Sequence, residues 1–176
     1  MTAPILVISG CSGVGKSTVS RSLAGRFDSA VHLPADTFYR LFDDPWPDPE
    51  SAEGARRYRA VGAAVGSAAG QLALGGYLVI LDGTMFPTGA DELADIWRDR
   101  GVEVHYALLR APLEVCLARA RTRDPEFNWD LRAFEALHAR YDRVALPSVQ
   151  RFDAAPGPDE VTLAVEAAFR TGRLQV

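Results

Sequence analysis

The fold of this chain is decided by one stretch, Gly10-Cys11-Ser12-Gly13-Val14-Gly15-Lys16-Ser17-Thr18. It fits the pattern G-x-x-x-x-G-K-[ST], in which backbone N–H groups surround phosphates and the lysine reaches the β- and γ-phosphates. Lys16 is the only lysine among 19 basic residues, and all the others are arginine. A compact ammonium fits the centre of such a loop, where a planar guanidinium has the wrong shape. The stretch therefore predicts a binding site for a nucleoside triphosphate.

The residues on either side have the patterns that a phosphate-binding loop requires. Residues 4–9 form a short apolar run rich in β-branched residues, as in a strand buried on both faces of a parallel sheet. Val19, Leu23 and Phe27 then recur at a spacing of four, which is typical of a helix. The loop is thus expected between a strand and a helix N-terminus, where N–H groups and the helix dipole both favour an anion.

The composition indicates one domain spanning residues 1–176, with the proportions of an ordinary globular protein. A net charge of −4 and a pI near 5.4 argue against a nucleic-acid partner, which usually meets a basic face. No apolar run has the length of a membrane span, and no secretory signal is visible at the N-terminus. Two cysteines, Cys11 and Cys116, make no disulfide framework. We therefore expect a cytoplasmic protein without a membrane partner, and the oligomeric state is left open.

Strand and helix patterns alternate along the chain, which indicates an α/β fold with a mostly parallel sheet. The predicted strands are residues 4–9, 30–34, 77–82, 103–109 and 148–153. The predicted helices are residues 16–26, 51–74, 90–100, 112–123, 131–144 and 158–171. Two segments are predicted to be irregular, namely the proline-rich residues 42–50 and the charged residues 121–130.

Polar residues directly after the predicted strands are the candidate site residues, because ligands bind at the carboxyl ends of the strands in open α/β sheets. After the first strand, the Ser17 hydroxyl is expected to ligate Mg²⁺ beside the phosphates that Lys16 contacts. Ser12 and Thr18 are expected to add hydroxyl donors at the same place.

Asp36 follows the second strand and is placed to accept a proton from an attacking hydroxyl. The alternative is that Asp36 only caps a helix that begins at Thr37. Arg40 lies one helical turn further on, where it is expected either to hold an anionic group of the substrate or to pair with a surface carboxylate.

Asp82 follows the third strand, where an acid suits a Mg²⁺ site by holding a metal-bound water. The alternative is a turn aspartate before Gly83. The three histidines are widely spaced in the sequence and show no partner pattern, so no metal or base role is assigned to His32, His105 or His138.

Three arginines lie on the predicted helix after the fourth strand. Arg119 and Arg123 are four residues apart and share one face, whereas Arg121 points elsewhere. Such cations suit a hinged clamp that neutralises charge on a transferred phosphoryl group. The alternative is a solvated basic face.

Taken together, these residues resemble the P-loop small-molecule kinases, in particular the chloramphenicol phosphotransferase-like and zeta-toxin-like groups. The resemblance covers nearly the whole chain and is most specific at residues 10–18. It implies a three-layer P-loop NTPase fold with a five-stranded sheet of order 2-3-1-4-5 and helices on both faces. It also implies a substrate-binding excursion over about residues 36–75 and a lid over about residues 119–132.

The same resemblance implies ATP and Mg²⁺ as ligands and a catalytic base at Asp36. It implies contacts to adenine and phosphates from Arg119 and Arg123, with Arg121 as the alternate. We therefore predict an ATP-dependent kinase that transfers the γ-phosphoryl group to a hydroxyl of a small molecule, with Lys16 and Arg123 neutralising charge. The acceptor is left open among antibiotics, sugars, nucleosides and sugar nucleotides.

Two other functions compete with this prediction. One is a 5′-hydroxyl polynucleotide kinase, which the acidic pI disfavours. The other is a regulatory switch that binds a nucleotide without catalysis. A GTP-dependent switch of the usual kind is excluded, because the guanine-reading pattern Asn-Lys-x-Asp needs a lysine and none follows position 16.

Overall fold

The computed structural model describes residues 1–43, 47–48, 51–123, 130–146 and 150–176. The strands are β1 (Ile5–Ser9), β2 (Ala30–Pro34), β3 (Leu78–Asp82), β4 (Val104–Arg110) and β5 (Arg151–Asp153). The helices are α1 (Lys16–Ala24), α2 (Asp36–Tyr39), α3 (Ala52–Leu74), α4 (Pro87–Arg98), α5 (Leu113–Arg123), α6 (Leu131–Asp142) and α7 (Pro158–Arg170).

The strands form one parallel sheet of order β2-β3-β1-β4-β5, which confirms the predicted α/β class and strand order. β1 and β3 are buried throughout, and β4 is buried up to its last residue. The strands at the two edges, β2 and β5, are only half-buried or exposed. The apolar runs of the central strands are therefore the core of the fold, as expected for a parallel sheet covered by helices.

Two differences from the prediction concern short elements. α2 has only four residues, which is too few to produce a helical repeat of apolar residues in the sequence. β5 begins at Arg151 instead of residue 148, and residues 147–149 lie outside the described residues. The irregular segments were predicted over residues that lie partly outside the described ranges, at 44–46, 49–50 and 124–129.

No helix within the described ranges combines the length and the apolar character that a bilayer crossing requires.

α3 packs against α4 where a glycine of one helix meets a tryptophan of the other. A Cβ added to Gly70 would lie 2.0 Å from Cε2 of Trp97. Trp97 is only 6% exposed, so its indole has little room to move. Gly62 lies about two turns earlier in the same helix, where a Cβ would meet no atom within 4 Å. The close approach of the two helices thus depends on the absence of a side chain at Gly70.

We expect Gly70→Ala to lower the free energy of unfolding by about 1–3 kcal/mol, because the added methyl group overpacks the contact with Trp97. Gly62→Ala in the same helix is the matched control. It should raise stability by up to about 1 kcal/mol, because alanine restricts the unfolded chain and favours the helix. Urea denaturation of both variants measures the difference, and equal effects would contradict the packing argument.

Helices α1 and α7 are joined by a carboxylate between two guanidinium groups. Glu166 of α7 accepts hydrogen bonds from Arg26, directly beyond α1, and from Nε of Arg170 at 2.9 Å. The bonds from Arg26 and then Arg170 lower the pKa of Glu166 from its ordinary value of 4.5. A carboxylate with a depressed pKa stabilises the folded state above its unfolded pKa. That contribution is lost as the pH falls through the folded pKa.

We therefore expect Glu166→Gln to lower the melting temperature at pH 7, with the difference from the wild type shrinking as the pH falls below 4.5. Glu135→Gln, at an exposed position of α6, is the control and should show no such pH-dependent difference. Thermal melts of the three proteins between pH 3 and pH 7 test this. A constant difference across that range would rule out the ionised carboxylate as the cause.

Candidate active site

The register of the sheet brings the ends of three neighbouring strands to one edge. Asp82, the last residue of β3, lies opposite Ile8 of β1 and Pro34 of β2. Residues 10–18, called the phosphate loop below, follow β1, and Asp36 follows β2. The residues predicted separately from the sequence therefore lie at one edge of the sheet, as expected for the carboxyl ends of parallel strands.

Glycines allow the phosphate loop to lie against its neighbours. A Cβ on Gly10 would lie 2.6 Å from the carbonyl oxygen of Leu109, and one on Gly13 would lie 2.1 Å from that of Cys116. Gly10, Gly13 and Gly15 all have positive φ, at 147°, 76° and 108°. Glycine is the residue that adopts these conformations without strain, so the loop geometry requires the glycines of the motif.

Helix α1 begins directly after this loop without a side-chain cap. Its N-cap is Gly15, and its first turn contains no acidic residue. The first N–H groups of the helix therefore have no side-chain acceptor, and the positive end of the helix dipole is uncompensated. This end of α1 is suited to an anion such as phosphate.

The Lys16 ammonium is held by the backbone of its own loop. Its Nζ donates to the carbonyl oxygens of Gly10 and Cys11, both at 3.0 Å. Burial lowers the pKa of Lys16 from its ordinary value, and the charge of Arg123 lowers it further. Among the opposing effects are the negative charges of Asp36 and Asp82, which raise this pKa. The two acids and Arg123 therefore lie within electrostatic reach of the lysine.

Asp82 is buried, with 2% of its surface exposed, and its Oδ2 is 2.8 Å from Nε2 of His32. It is thus the last residue of a strand and not a turn aspartate. The sequence shows no partner pattern for His32, and the pairing of β2 with β3 brings its side chain beside that of Asp82. The second carboxylate oxygen of Asp82 and the hydroxyl of Ser17 have no hydrogen bond to a described residue. Both oxygens are of the type that Mg²⁺ prefers.

A cavity of about 1030 Å³ opens beside the phosphate loop. Its walls come from β1, the phosphate loop, α2, α3, residues 83–92 and α6. Most of its lining is apolar. The polar or charged residues of the lining are Ser12, Asp36, Tyr39, Tyr58, Thr84, Thr88, Glu92 and Arg140.

Asp36 is the first residue of α2 and lines this cavity. The N-cap of α2 is Ala35, which makes no side-chain hydrogen bond, so the alternative that Asp36 acts only as a cap was wrong. Arg40 ends the same helix, is exposed and does not line the cavity. Of the two candidates for substrate contact, the structure thus brings only Asp36 to the cavity.

The three arginines of α5 differ in their surroundings. Arg119 donates to the carbonyl oxygens of Val14 and of residues 154–155 at 2.8–3.3 Å, so it links the phosphate loop to the segment after β5. Arg123 is exposed and is near enough to Lys16 to affect its pKa. Arg121 is exposed and has no hydrogen bond or ion pair to a described residue. Residues 124–129 of the predicted lid lie outside the described ranges.

One wall of the cavity is held by buried hydroxyl groups. Oγ of Ser9 donates to the carbonyl oxygen of Met85 at 2.5 Å, and the Tyr106 hydroxyl donates to the same oxygen at 2.8 Å. Burial raises the pKa of Tyr106 to about 12, so its hydroxyl stays protonated and can donate. Phe86 stacks on Tyr141 with ring centroids 4.5 Å apart. Met85 and Phe86 therefore present a fixed apolar surface to the cavity.

Sequence reasoning missed most of this cavity lining. Tyr39, Tyr58, Phe86 and Arg140 come from four separate elements, and no local pattern connects them. Arg140 also lies over the Phe86 ring, with its guanidinium carbon 4.5 Å from the centroid. The one available signal was that residues 83–86 directly follow a predicted strand, where ligands bind in such folds.

The glycine-dependent loop, the uncapped α1 and the parallel sheet of order 2-3-1-4-5 define this chain as a P-loop protein. It belongs to the family described as AAA domain, whose model matches residues 5–144. No protein of curated function matches the chain.

Solved structures of a resistance protein and of two kinases have a similar fold. The Deinococcus radiodurans tunicamycin resistance protein is 23% identical, with 99% of this chain and 98% of that chain covered and a TM-score of 0.63. A gluconokinase from Sinorhizobium meliloti is 16% identical, with 97% and 93% covered and a TM-score of 0.61. Shikimate kinase from Aquifex aeolicus is 17% identical, with 97% and 98% covered and a TM-score of 0.62. The expected resemblance in fold to the P-loop small-molecule kinases is thus confirmed.

Proposed function

We propose that this protein is an ATP-dependent kinase that phosphorylates a hydroxyl group of a small molecule. The observation that supports this most directly is the position of Asp36. It lines the large cavity, and its charge also acts on the pKa of Lys16. A hydroxyl in the cavity could therefore meet both a carboxylate and a phosphate held at Lys16. A protein that only bound a nucleotide would not need this large cavity beside the phosphate loop or the carboxylate that lines it.

The proposed roles follow from these positions. The N–H groups of the phosphate loop and of the start of α1 bind the phosphates, and Lys16 exchanges its two carbonyl partners for phosphate oxygens. Asp36 accepts the proton of the acceptor hydroxyl. Lys16 and Arg123 neutralise negative charge at the reacting phosphorus. Arg119 holds the phosphate loop against the segment after β5, and we propose that it contacts the base of the nucleotide there.

A magnesium ion fits the oxygens available beside Lys16. Ser17 would supply a hydroxyl ligand, and Asp82 would hold a metal-bound water through the oxygen that His32 leaves free. When bound, the ion would reduce the negative charge of the phosphates. The hydrogen bond from His32 fixes the Asp82 carboxylate in one orientation.

We expect Asp36→Asn to reduce acceptor phosphorylation by about a hundredfold or more, because asparagine keeps the shape but cannot accept the proton. Affinity for a non-hydrolysable ATP analogue should stay close to that of the wild type, because Asp36 lies on the cavity side of Lys16. Lys16→Ala is the contrasting variant and should lose both nucleotide affinity and turnover.

ATP-analogue affinity, melting temperature and ADP release measured on these two variants separate the alternatives. Full turnover in Asp36→Asn would exclude the base role. Nucleotide binding that depends on Lys16 but never produces a phosphorylated acceptor would favour the regulatory switch.

The cavity also limits the class of acceptor. Its volume of about 1030 Å³ is at the upper end for small-molecule sites and suits a compound of drug size. Its apolar wall of Met85 and Phe86 is rigid, and two tyrosines face it from α2 and α3. Such a surface favours a compound with an apolar or aromatic part that is buried on binding.

The charged residues of the cavity also indicate which class of acceptor fits. Its described lining has two carboxylates, Asp36 and Glu92, and one cation, Arg140, which already lies over an aromatic ring. The residues outside the described ranges contain no lysine or arginine, so they add no cation. We therefore propose an uncharged, partly apolar acceptor. A polynucleotide would need several cations for its phosphates.

An ADP-release panel tests this proposal. Chloramphenicol and tunicamycin represent large uncharged hydroxyl compounds, gluconate and shikimate represent carboxylates, and a 5′-hydroxyl oligonucleotide represents the polymer. We expect kcat/KM for an uncharged compound to exceed that of every anion by at least about tenfold, equivalent to about 1.4 kcal/mol. Preference for a carboxylate or for the oligonucleotide would overturn the acceptor class and leave the kinase proposal standing.

Gly62→Leu provides a second measurement at the same cavity. Gly62 lines it, and a side chain added there meets open space. The larger residue should raise the KM for the acceptor and leave ATP-analogue affinity unchanged. If the KM for the acceptor did not change, the acceptor would have to bind outside this cavity.

A further inference from the structure

A second group of chemically reactive side chains links the phosphate loop to α5 and α6, and these side chains have no role in the proposed transfer. Cys11, Cys116 and His138 are all buried, and their ligand atoms lie within 4.8 Å of one another. The two sulfur atoms are 3.5 Å apart. They are the only cysteines of the chain. Three separate segments, the phosphate loop, α5 and α6, thus contribute one soft ligand atom each.

The distance between the two sulfur atoms is close to that in a metal site. Zinc binds thiolate sulfur at about 2.3 Å and imidazole nitrogen at about 2.0–2.1 Å, which puts two sulfurs of a tetrahedral site about 3.8 Å apart. The observed separation of 3.5 Å needs only a small adjustment to reach that value. Two thiolates would also balance the charge of a divalent ion, so the buried site would carry no net charge.

We propose that Cys11, Cys116 and His138 form a binding site for one thiophilic divalent cation, of which Zn²⁺ is the representative. The ion would release the thiol protons and be held by two sulfurs and one imidazole nitrogen. This site is separate from the proposed magnesium position at Ser17 and Asp82, which offers only oxygen ligands.

Asp142 supports the role of His138 as a ligand. Its Oδ2 lies 3.3 Å from Nδ1 of His138, one turn away on α6. A carboxylate at the far nitrogen of a metal-binding histidine fixes the ring and its tautomer, and it raises the basicity of the coordinating nitrogen. Nε2 is then the coordinating atom, in exchange for its present hydrogen bond of 2.9 Å to the carbonyl oxygen of Ala111. Asp142 is itself held by Arg110 at 2.5 Å.

His138 connects the cluster to a separate cavity. This cavity of about 390 Å³ is lined by Ala111, His138 and Asp142 among others. The Ala111 carbonyl oxygen also lies 3.7 Å from Sγ of Cys116. A water molecule in the cavity could complete a tetrahedral set.

A bound ion would join the phosphate loop to two helices. Cys11 also provides one of the carbonyl oxygens that hold Lys16, and the Cys116 carbonyl lies against Gly13. Binding at this position should therefore make the loop and its supports more resistant to unfolding, because a ligand that binds only the folded chain stabilises it.

Cobalt and zinc titrations of the reduced, full-length protein test the proposal. We expect Co²⁺ to produce a thiolate charge-transfer band that saturates at one ion per chain, with Zn²⁺ displacing it. Saturating Zn²⁺ should raise the melting temperature by about 5 °C or more. Cys116→Ser and His138→Gln should weaken binding by at least about a hundredfold. Asp142→Asn should weaken it by about ten- to a hundredfold.

His105→Gln is the matched control, since His105 is buried but lies outside the cluster, and its metal affinity should equal that of the wild type. Circular dichroism of each metal-free variant checks the fold. If Cys116→Ser does not fold, the Asp142→Asn variant decides, because its change lies outside the ligand set.

Three results would each overturn the proposal. They are the absence of a saturable band, a band that His138→Gln leaves unchanged, and loss of both free thiols to a disulfide under the conditions of the titration. None of them depends on kinase activity, so failure of this proposal and failure of the proposed function are distinguishable.

Discussion

The phosphate loop keeps its shape because Gly13 has no side chain. Its Cα lies so close to α5 that a Cβ would come within 2.1 Å of the Cys116 carbonyl oxygen. This contact sets the distance between the loop and the helix that bears Arg119 and Arg123. Arg119 of α5 also donates a hydrogen bond to the carbonyl oxygen of Val14, which joins the loop and the helix at a second point. The geometry at Lys16 thus depends on this backbone contact as well as on the burial of Val14 and Val19 in the core.

Lys16 is subject to opposing influences, and their net effect is a lowered pKa. Burial disfavours the ammonium, Asp36 and Asp82 favour it, and Arg123 opposes them. The amine is meanwhile hydrogen-bonded only to carbonyl oxygens, which are weaker acceptors than ionised phosphate oxygens. An anion that arrives here exchanges neutral partners for charged ones. Such an exchange strengthens the hydrogen bonds of this half-buried lysine.

The features that could be predicted from the sequence are those that depend on local periodicity. The five strands, their order and six of the helices followed from apolar runs, turn residues and one resemblance. The four-residue α2 was absent from the predicted helices because it spans little more than one helical turn. The pairing of His32 with Asp82 was missed because it joins residues 50 positions apart. The cavity wall at Phe86 was missed for the same reason, since its partners Arg140 and Tyr141 come from α6. The polar residues that follow the strands could be predicted from the sequence. The side chains that they contact could not, because these contacts depend on how distant elements pack.

The cavity and the phosphate loop draw on largely different parts of the chain. The apolar wall at residues 83–92 and the contribution from α6 belong to the cavity, whereas α1 and its loop glycines shape the phosphate side. Asp36 and Ser12 are among the few polar residues near both. Substitutions on the cavity side can therefore accumulate without disturbing the loop. A scaffold divided in this way can acquire new ligands by small steps.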